Sequence, residues 1–130
     1  MPFLSQALPS LGIMDPRTQL GRTGEDAAAD LFQRLGFTVA ERNFRCRHGE
    51  LDLVVQRPGL VVFCEVKTRA TDRFGLPAEA VNHQKQQRLR RLAGIWLNHN
   101  PVGASQVRFD VVSVVARGTD LEITHFPDAF

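Results

Sequence analysis

The chain has few of the residues on which several classes of protein depend. Its 130 residues include no tyrosine, two cysteines and only two lysines among 16 basic residues. Two cysteines give no disulfide framework and are typical of a reducing cytoplasm, which is the predicted location. No stretch approaches the roughly 18 uninterrupted apolar residues of a membrane span, so we expect no membrane partner.

Other absences exclude particular classes of enzyme and argue against a signal peptide. The sequence has no glycine-rich phosphate loop and no Ser/His/Asp or Cys/His arrangement, which excludes the common nucleotide-binding and nucleophile-dependent classes. The first fourteen residues lack a basic start and are broken by Pro9 and Gly12, so we predict no signal peptide. We expect residues 1–17 to form a disordered tail and residues 18–130 a single domain.

Charge is unevenly distributed along the chain. The net charge is +2, but residues 40–117 carry 13 basic against 7 acidic side chains, whereas the rest carries 3 against 7. A basic middle section favours a partner with a phosphate backbone. A solvated, arginine-rich surface explains the same count equally well.

Hydrophobic periodicity predicts two helices and five strands in the order αβββαββ. Apolar residues recur at helical spacing in residues 18–35 and 78–98. Strands are predicted at 37–44, 51–55, 60–66, 106–116 and 121–126. This order indicates an α/β sandwich with a central mixed sheet flanked by helices.

The second and third strands read as an antiparallel hairpin. They flank Pro58-Gly59, which suits the centre of a type II turn. A loop symmetric about this pair makes the numbers of opposed residues sum to 117. Asp52 would then face Glu65, and Glu50 would face Lys67, all on one face of the sheet.

Opposed carboxylates need a compensating cation. Cross-strand neighbours have Cβ atoms only about 5 Å apart, and like charges there destabilise the sheet. A divalent cation such as Mg²⁺ between Asp52 and Glu65 would remove the conflict. The alternatives are a Glu50–Lys67 salt bridge on a solvated face, or a register shifted by one residue that turns Asp52 away.

The predicted hairpin resembles a known nuclease signature. Asp52, twelve intervening residues and then Glu65-Val66-Lys67 resemble the PD-(D/E)XK motif, with a spacing similar to that of archaeal Holliday junction resolvases. Leu51 stands where the signature has proline. Four blocks in order are similar to the YraN family of uncharacterised bacterial proteins: GEDAAA (24–29), NFRCRHGELDLV (43–54), EVKTR (65–69) and RFDVV (108–112).

The resemblance implies a restriction-endonuclease-like sandwich that holds Mg²⁺ or Mn²⁺. Asp52 and Glu65 would bind the metal, and Glu25 on the first helix matches the helical glutamate of the resolvases. Lys67 would orient water and stabilise charge on the phosphate, with Glu50 supporting it. For Glu25, an acid favourably placed near a helix start is an equally good explanation.

Several basic residues are candidates for contact with nucleic acid. They flank the acidic hairpin or lie on the second helix: Arg45, Arg47, Arg69, Lys85 and Arg88. Arginine forks bind phosphates bidentately. The alternative is that the arginines before the hairpin neutralise its acids. Cys46-x-His48 lacks the usual spacing of a zinc site, and Asp110 is expected to pair with Arg108.

These patterns lead to three functional hypotheses. The first is a metal-dependent endonuclease that cleaves DNA, at branched or damaged structures by analogy with the resolvases, which also suggest a homodimer. The second is a nucleic-acid-binding or scaffold module without turnover. The third is a small structural protein that binds another protein.

Overall fold

The computed structural model describes residues 3–7, 16–70, 81–103 and 106–130, with side chains from residue 19 onward within these ranges. Its elements, in chain order, are β1 (Phe3–Ala7), α1 (Pro16–Arg34), β2 (Thr38–Cys46), β3 (Gly49–Arg57), β4 (Leu60–Arg69), α2 (His83–His99), β5 (Gln106–Arg117) and β6 (Asp120–Phe126).

The strands form one mixed sheet in the order β1-β6-β5-β4-β3-β2. Neighbours pair antiparallel except for β4 and β5, which are parallel. A parallel pair needs a crossover connection, and α2 lies in that connection. The predicted α/β class with a central mixed sheet and two flanking helices, consistent with a restriction-endonuclease-like fold, is therefore confirmed.

Each face of the sheet has its own hydrophobic core. On β4, Val62 and Cys64 are buried with the apolar residues of α1, whereas Val61 and Phe63 are buried with those of α2. This alternation follows from the two-residue period of a strand. Glu65 and Lys67 continue the α2-facing set, because they lie two and four residues beyond Phe63.

The hairpin has the predicted register. Pairing of β3 with β4 runs from Arg57↔Leu60 to Leu53↔Cys64, and every pair of residue numbers sums to 117. Gly59 has a φ of 84°, the left-handed value that the second central residue of a type II turn requires. The pairing ends before Asp52, and this departure from the prediction shapes the site.

The second helix begins later than its periodicity predicts. Residues 78–80 lie outside the described residues, but Val81 and Asn82 are not helical, and α2 starts at His83. The Asn82 side chain accepts a hydrogen bond from the backbone N–H of Lys85 at 2.9 Å. An asparagine cap of this kind fixes the helix start more strongly than apolar spacing does.

The N-terminal segment departs from the expected disordered tail. Phe3–Ala7 pairs antiparallel with β6, from Phe3↔Thr124 to Ala7↔Asp120. The backbone of β6 would otherwise present unpaired groups along that edge, and β1 satisfies them. Helix α1 begins at Pro16, while residues 8–15 lie outside the described part of the chain.

Within the described residues, neither helix is long and apolar enough to cross a membrane.

Gly24 sets the distance between α1 and β4, and its substitution should destabilise the fold. A Cβ atom at Gly24 would lie 2.1 Å from Oγ1 of Thr68, closer than atoms can pack. Threonine is stiff at χ1, so the helix must move. We expect Gly24→Ala to lower the free energy of unfolding by about 1–3 kcal/mol in urea denaturation.

Gly21→Ala on the same helix is the matched control. It has no atom within 4 Å of the added Cβ and should stabilise the protein by about 0.5–1 kcal/mol through helix propensity. Adding Thr68→Ala to Gly24→Ala should restore part of the lost stability. Equal effects of the two glycine substitutions would contradict the close contact.

Candidate metal centre

The site is built where β3 separates from β4. Beyond Leu53↔Cys64 the two strands no longer pair, and Oδ2 of Asp52 accepts a hydrogen bond from the backbone N–H of Val66 at 2.9 Å. The carboxylate thus takes the place of a backbone carbonyl of the ladder. This bond holds the Asp52 side chain against β4. The side chain is therefore fixed more firmly than a surface side chain without a partner.

Strand β3 also changes, at Asp52, the face of the sheet to which its apolar side chains point. Leu51 is buried with the α2-side core, whereas Leu53 is buried with the α1-side core, although alternation would place both on one face. On the neighbouring strand, Asn43 has a φ of 55°, a left-handed conformation that asparagine tolerates. The two distortions open this end of the sheet to groups from both helix layers.

Three carboxylates converge at the opening. Glu25 of α1, Glu50 of β3 and Asp52 each offer an oxygen, and these oxygens all lie within 4.8 Å of one another. Asn43 Nδ2 donates to Glu25 Oε1 at 3.2 Å, and Arg45 Nε lies 3.3 Å from Glu50 Oε2. Two of the three acids are therefore oriented by neighbouring side chains while all three are only partly exposed.

Glu65 lies beside this cluster and makes an ion pair. Lys85 Nζ is 2.9 Å from Glu65 Oε1, and the two side chains are 21% and 10% exposed. Lys67 lies next to Lys85, and the hydrogen bond between the two amines lowers the pKa of Lys67, with burial acting in the same direction. Burial disfavours the charge on Lys85, but hydrogen bonds with Lys67 and Glu65 raise its pKa overall. Lys85 is thus the more firmly protonated amine.

Burial and the neighbouring carboxylates disfavour the ionised form of Asp52. Burial, followed by the charge of Glu65 and then those of Glu25 and Glu50, raises the pKa of Asp52 to about 7, against the opposing effect of the Val66 N–H. A carboxyl with such neighbours is disfavoured as an anion unless positive charge is supplied. The site is therefore suited to a cation.

Several of these groups line a cavity of about 220 Å³, but Glu25 and Lys67 are not among its lining residues. The lining consists of Gly49, Glu50, Asp52, Glu65, Lys85, Arg88 and Leu89. A larger cleft of about 330 Å³ lies at the other end of the hairpin, around Pro58 and Gly59. Among the described residues, no carboxylate lines that cleft. Size alone therefore does not distinguish the two cavities as candidate sites, whereas the chemistry of the lining does.

The structure rearranges the predicted acidic set. Asp52 and Glu65, which the register places together, share the cavity with Lys85. Glu25 and Glu50 group with Asp52, whereas Glu65, predicted as a metal ligand, pairs with Lys85. Glu50 was predicted to face Lys67, but β3 leaves β4 before reaching that position, and its ion pair is with Arg45 across β2.

Three of the five candidate nucleic-acid residues lie beside the acids. Lys85 and Arg88 line the cavity, and Arg45 reaches Glu50 from β2. Arg47 lies in the turn between β2 and β3, and Arg69 is the last residue of β4. Arg91 of α2 contacts the imidazole of His48 in the same turn.

Asp110 lies apart from the metal candidates. It is fully buried, and both of its oxygens accept from Arg108 at 2.8 Å, which confirms the expected pair. His125 Nε2 lies 2.7 Å from Oδ2, and the Asp128 N–H donates to Oδ1 at 2.9 Å. Burial opposes the charge, but the bonds to His125 and Arg108 hold the pKa of Asp110 below its usual value. Asp110 therefore anchors the C-terminal turn.

Comparison with known proteins identifies relatives along most of the chain. Residues 24–114 match the model of the uncharacterised protein family UPF0102. A UPF0102 protein of Mycolicibacterium gilvum is 52% identical over 114 residues, covering 85% of this chain and 93% of the relative. Another from Mycobacterium sp. strain KMS is 48% identical and covers 96% of both chains. One from Frankia casuarinae is 48% identical, covering 90% of this chain and all of the relative.

Removing the Asp52 charge should change how stability depends on pH. The folded pKa of about 7 lies above the ordinary value of 3.8, so between these values the native state holds a proton that the unfolded chain has lost. The parent should therefore lose stability as pH rises from about 4 to about 7 through this group. Asp52→Asn keeps an acceptor for the Val66 N–H and removes that loss.

The measurement is urea denaturation of the parent and Asp52→Asn in EDTA at several pH values. Relative to the parent, the free energy of unfolding of the variant should rise progressively toward pH 7, by on the order of 2 kcal/mol. The difference should stay constant above that pH. Asp120→Asn, an exposed aspartate at the start of β6, is the matched control. A gain that does not vary with pH would show that burial and repulsion do not act on Asp52.

Proposed function

This chain belongs to the uncharacterised protein family UPF0102, and we propose that it is a metal-dependent nuclease that cleaves phosphodiester bonds in DNA. The family match confirms the YraN-like resemblance of its four sequence blocks. Family membership by itself assigns no reaction. The proposal depends on the geometry of the carboxylates and lysines at the open end of the hairpin.

One observation carries the proposal: three carboxylate oxygens from Glu25, Glu50 and Asp52 lie within 4.8 Å of one another. Oxygens bound to one octahedral Mg²⁺ at 2.0–2.1 Å lie about 2.9 to 4.1 Å apart, so oxygens within 4.8 Å of one another need to approach by less than about 1 Å to bind one ion. Its ligand chemistry also fits, since Mg²⁺ and Mn²⁺ prefer carboxylate oxygen. A cation here would offset the repulsion that raises the pKa of Asp52.

The surrounding side chains suit phosphoryl transfer. Glu25, Glu50 and Asp52 would hold the metal, which when bound polarises a phosphoryl oxygen and lowers the pKa of water. Lys67 would donate a hydrogen bond to the scissile phosphate and stabilise its developing charge. Lys85 pairs with Glu65 at 2.9 Å and offsets part of the repulsion between that carboxylate and Asp52.

The experiment separates metal binding from cleavage. Isothermal titration with Mg²⁺ or Mn²⁺ should give binding to the parent and to Lys67→Ala, but none to Asp52→Ala. Incubation with duplex, single-stranded, flap and four-way-junction DNA should give cleavage by the parent. We expect each substitution to reduce the rate by on the order of 100-fold or more, since each removes a group that acts on the transition state.

Asp120→Ala is the control, because it removes an exposed carboxylate at the start of β6. It should bind metal and cleave as the parent does. The preferred DNA structure would define the substrate class. If the parent cleaves nothing and both substitutions leave DNA binding unchanged, the nuclease proposal is wrong and a binding or scaffold role takes its place.

A further inference from the structure

A second cluster of charge lies beside the acidic cavity, and it is basic. Arg47 Nε donates to His48 Nε2 at 3.4 Å, and Arg91 Nη2 lies 3.5 Å from the same nitrogen. A neutral imidazole can accept at Nε2, so one ring nitrogen draws two guanidinium groups to a single point. We call Arg47, His48 and Arg91 the basic cluster.

No acid of the described residues forms an ion pair with the basic cluster. The described ion pairs of arginine involve Arg34, Arg42, Arg45, Arg108 and Arg117. Neither Arg47 nor Arg91 belongs to such a pair, and Arg88, on the same helix as Arg91, also has none. The guanidinium groups of Arg47, Arg88 and Arg91 therefore have N–H donors that no carboxylate of the described residues occupies.

The fold brings these charges together through the turn between β2 and β3. Gly49 has a φ of 135°, and a Cβ there would lie 3.3 Å from Leu92 Cδ1 and 3.6 Å from Arg88 Cδ. Glycine therefore lets the turn rest against α2. Holding like charges in contact costs free energy, and an anion with several oxygens would offset that cost.

The basic cluster adjoins the acidic cavity. Arg88 lines the cavity, and His48 is only two residues from Glu50, which places their Cα atoms at most about 7 Å apart. Successive phosphates of one strand are separated by about 3.4 Å along the DNA axis. A phosphate at the basic cluster would therefore lie close along the strand to a phosphate at the acids.

We propose that Arg47, His48 and Arg91, extended by Arg88, bind a backbone phosphate of a nucleic acid strand adjacent to the phosphate held at the acidic cluster. This inference rests on the proposed function for the location of the reacting phosphate. It adds a binding site that fixes the path of the strand across the start of α2. Arginine forks suit this role because they bind phosphate oxygens bidentately.

The test measures binding in EDTA, so that cleavage does not enter. A fluorescein-labelled 20-base-pair DNA duplex is titrated with the full chain at several NaCl concentrations. The double variant Arg47→Gln/Arg91→Gln is compared with Arg34→Gln/Arg117→Gln, whose arginines pair with Asp30 and Glu122 elsewhere. Both doubles remove the same net charge.

We expect the basic-cluster double to lose affinity by on the order of 10- to 100-fold at about 0.1 M salt. The slope of log K against log[salt] should become shallower by about 1, because one phosphate contact is lost. The single variants Arg47→Gln and Arg91→Gln should each lose affinity by a smaller factor. The control double should stay near the parent.

Two results would overturn the inference: equal losses in the two doubles, which would indicate net charge alone, or a parent that does not bind the duplex. Failure of the nuclease proposal gives a different pattern. The slope would still fall in the basic-cluster variants while no divalent metal produces cleavage. Conversely, metal-dependent cleavage by the parent, together with unchanged DNA binding in these variants, would support the nuclease proposal and overturn the proposal for the basic cluster.

Discussion

Mutual repulsion among carboxylates at one end of a hairpin is the constraint on which the rest of this structure depends. The β3–β4 ladder ends at Leu53↔Cys64, and Asp52 is then held by the Val66 N–H instead of by strand pairing. Glu25 reaches it from one helix layer, while Lys85 enters from the other and pairs with Glu65. The close packing of Gly24 on Thr68 brings α1 near enough for this convergence.

Much of this arrangement could be predicted from the sequence, because it follows from local rules. Pro58-Gly59 set the turn, the turn set the register, and the register placed Asp52 and Glu65 at the same end of one hairpin. The separation of the strands at Asp52 has no local signal. It coincides with a left-handed Asn43 on β2 and with a change of core between Leu51 and Leu53, so the sequence does not predict the grouping of Glu50 with Glu25.

The charges divide into three groups with different physical roles. Asp110, with Arg108 and His125, is a buried and satisfied network that holds the C-terminal turn against the sheet. The acids around Asp52 are close together and short of positive charge. The basic cluster at the β2–β3 turn is short of negative charge. The last two lie side by side, which is the complementarity that a metal ion and a phosphate strand would satisfy together.

The central claim is that a divalent cation belongs among Glu25, Glu50 and Asp52. Crystals grown with Mn²⁺ and measured at the manganese absorption edge test this claim most directly, because an anomalous peak locates the ion without reference to activity. We expect a peak within about 2.2 Å of carboxylate oxygens from these residues, and its loss in Asp52→Ala. Well-ordered carboxylates with no peak between them, or manganese bound only elsewhere, would contradict it.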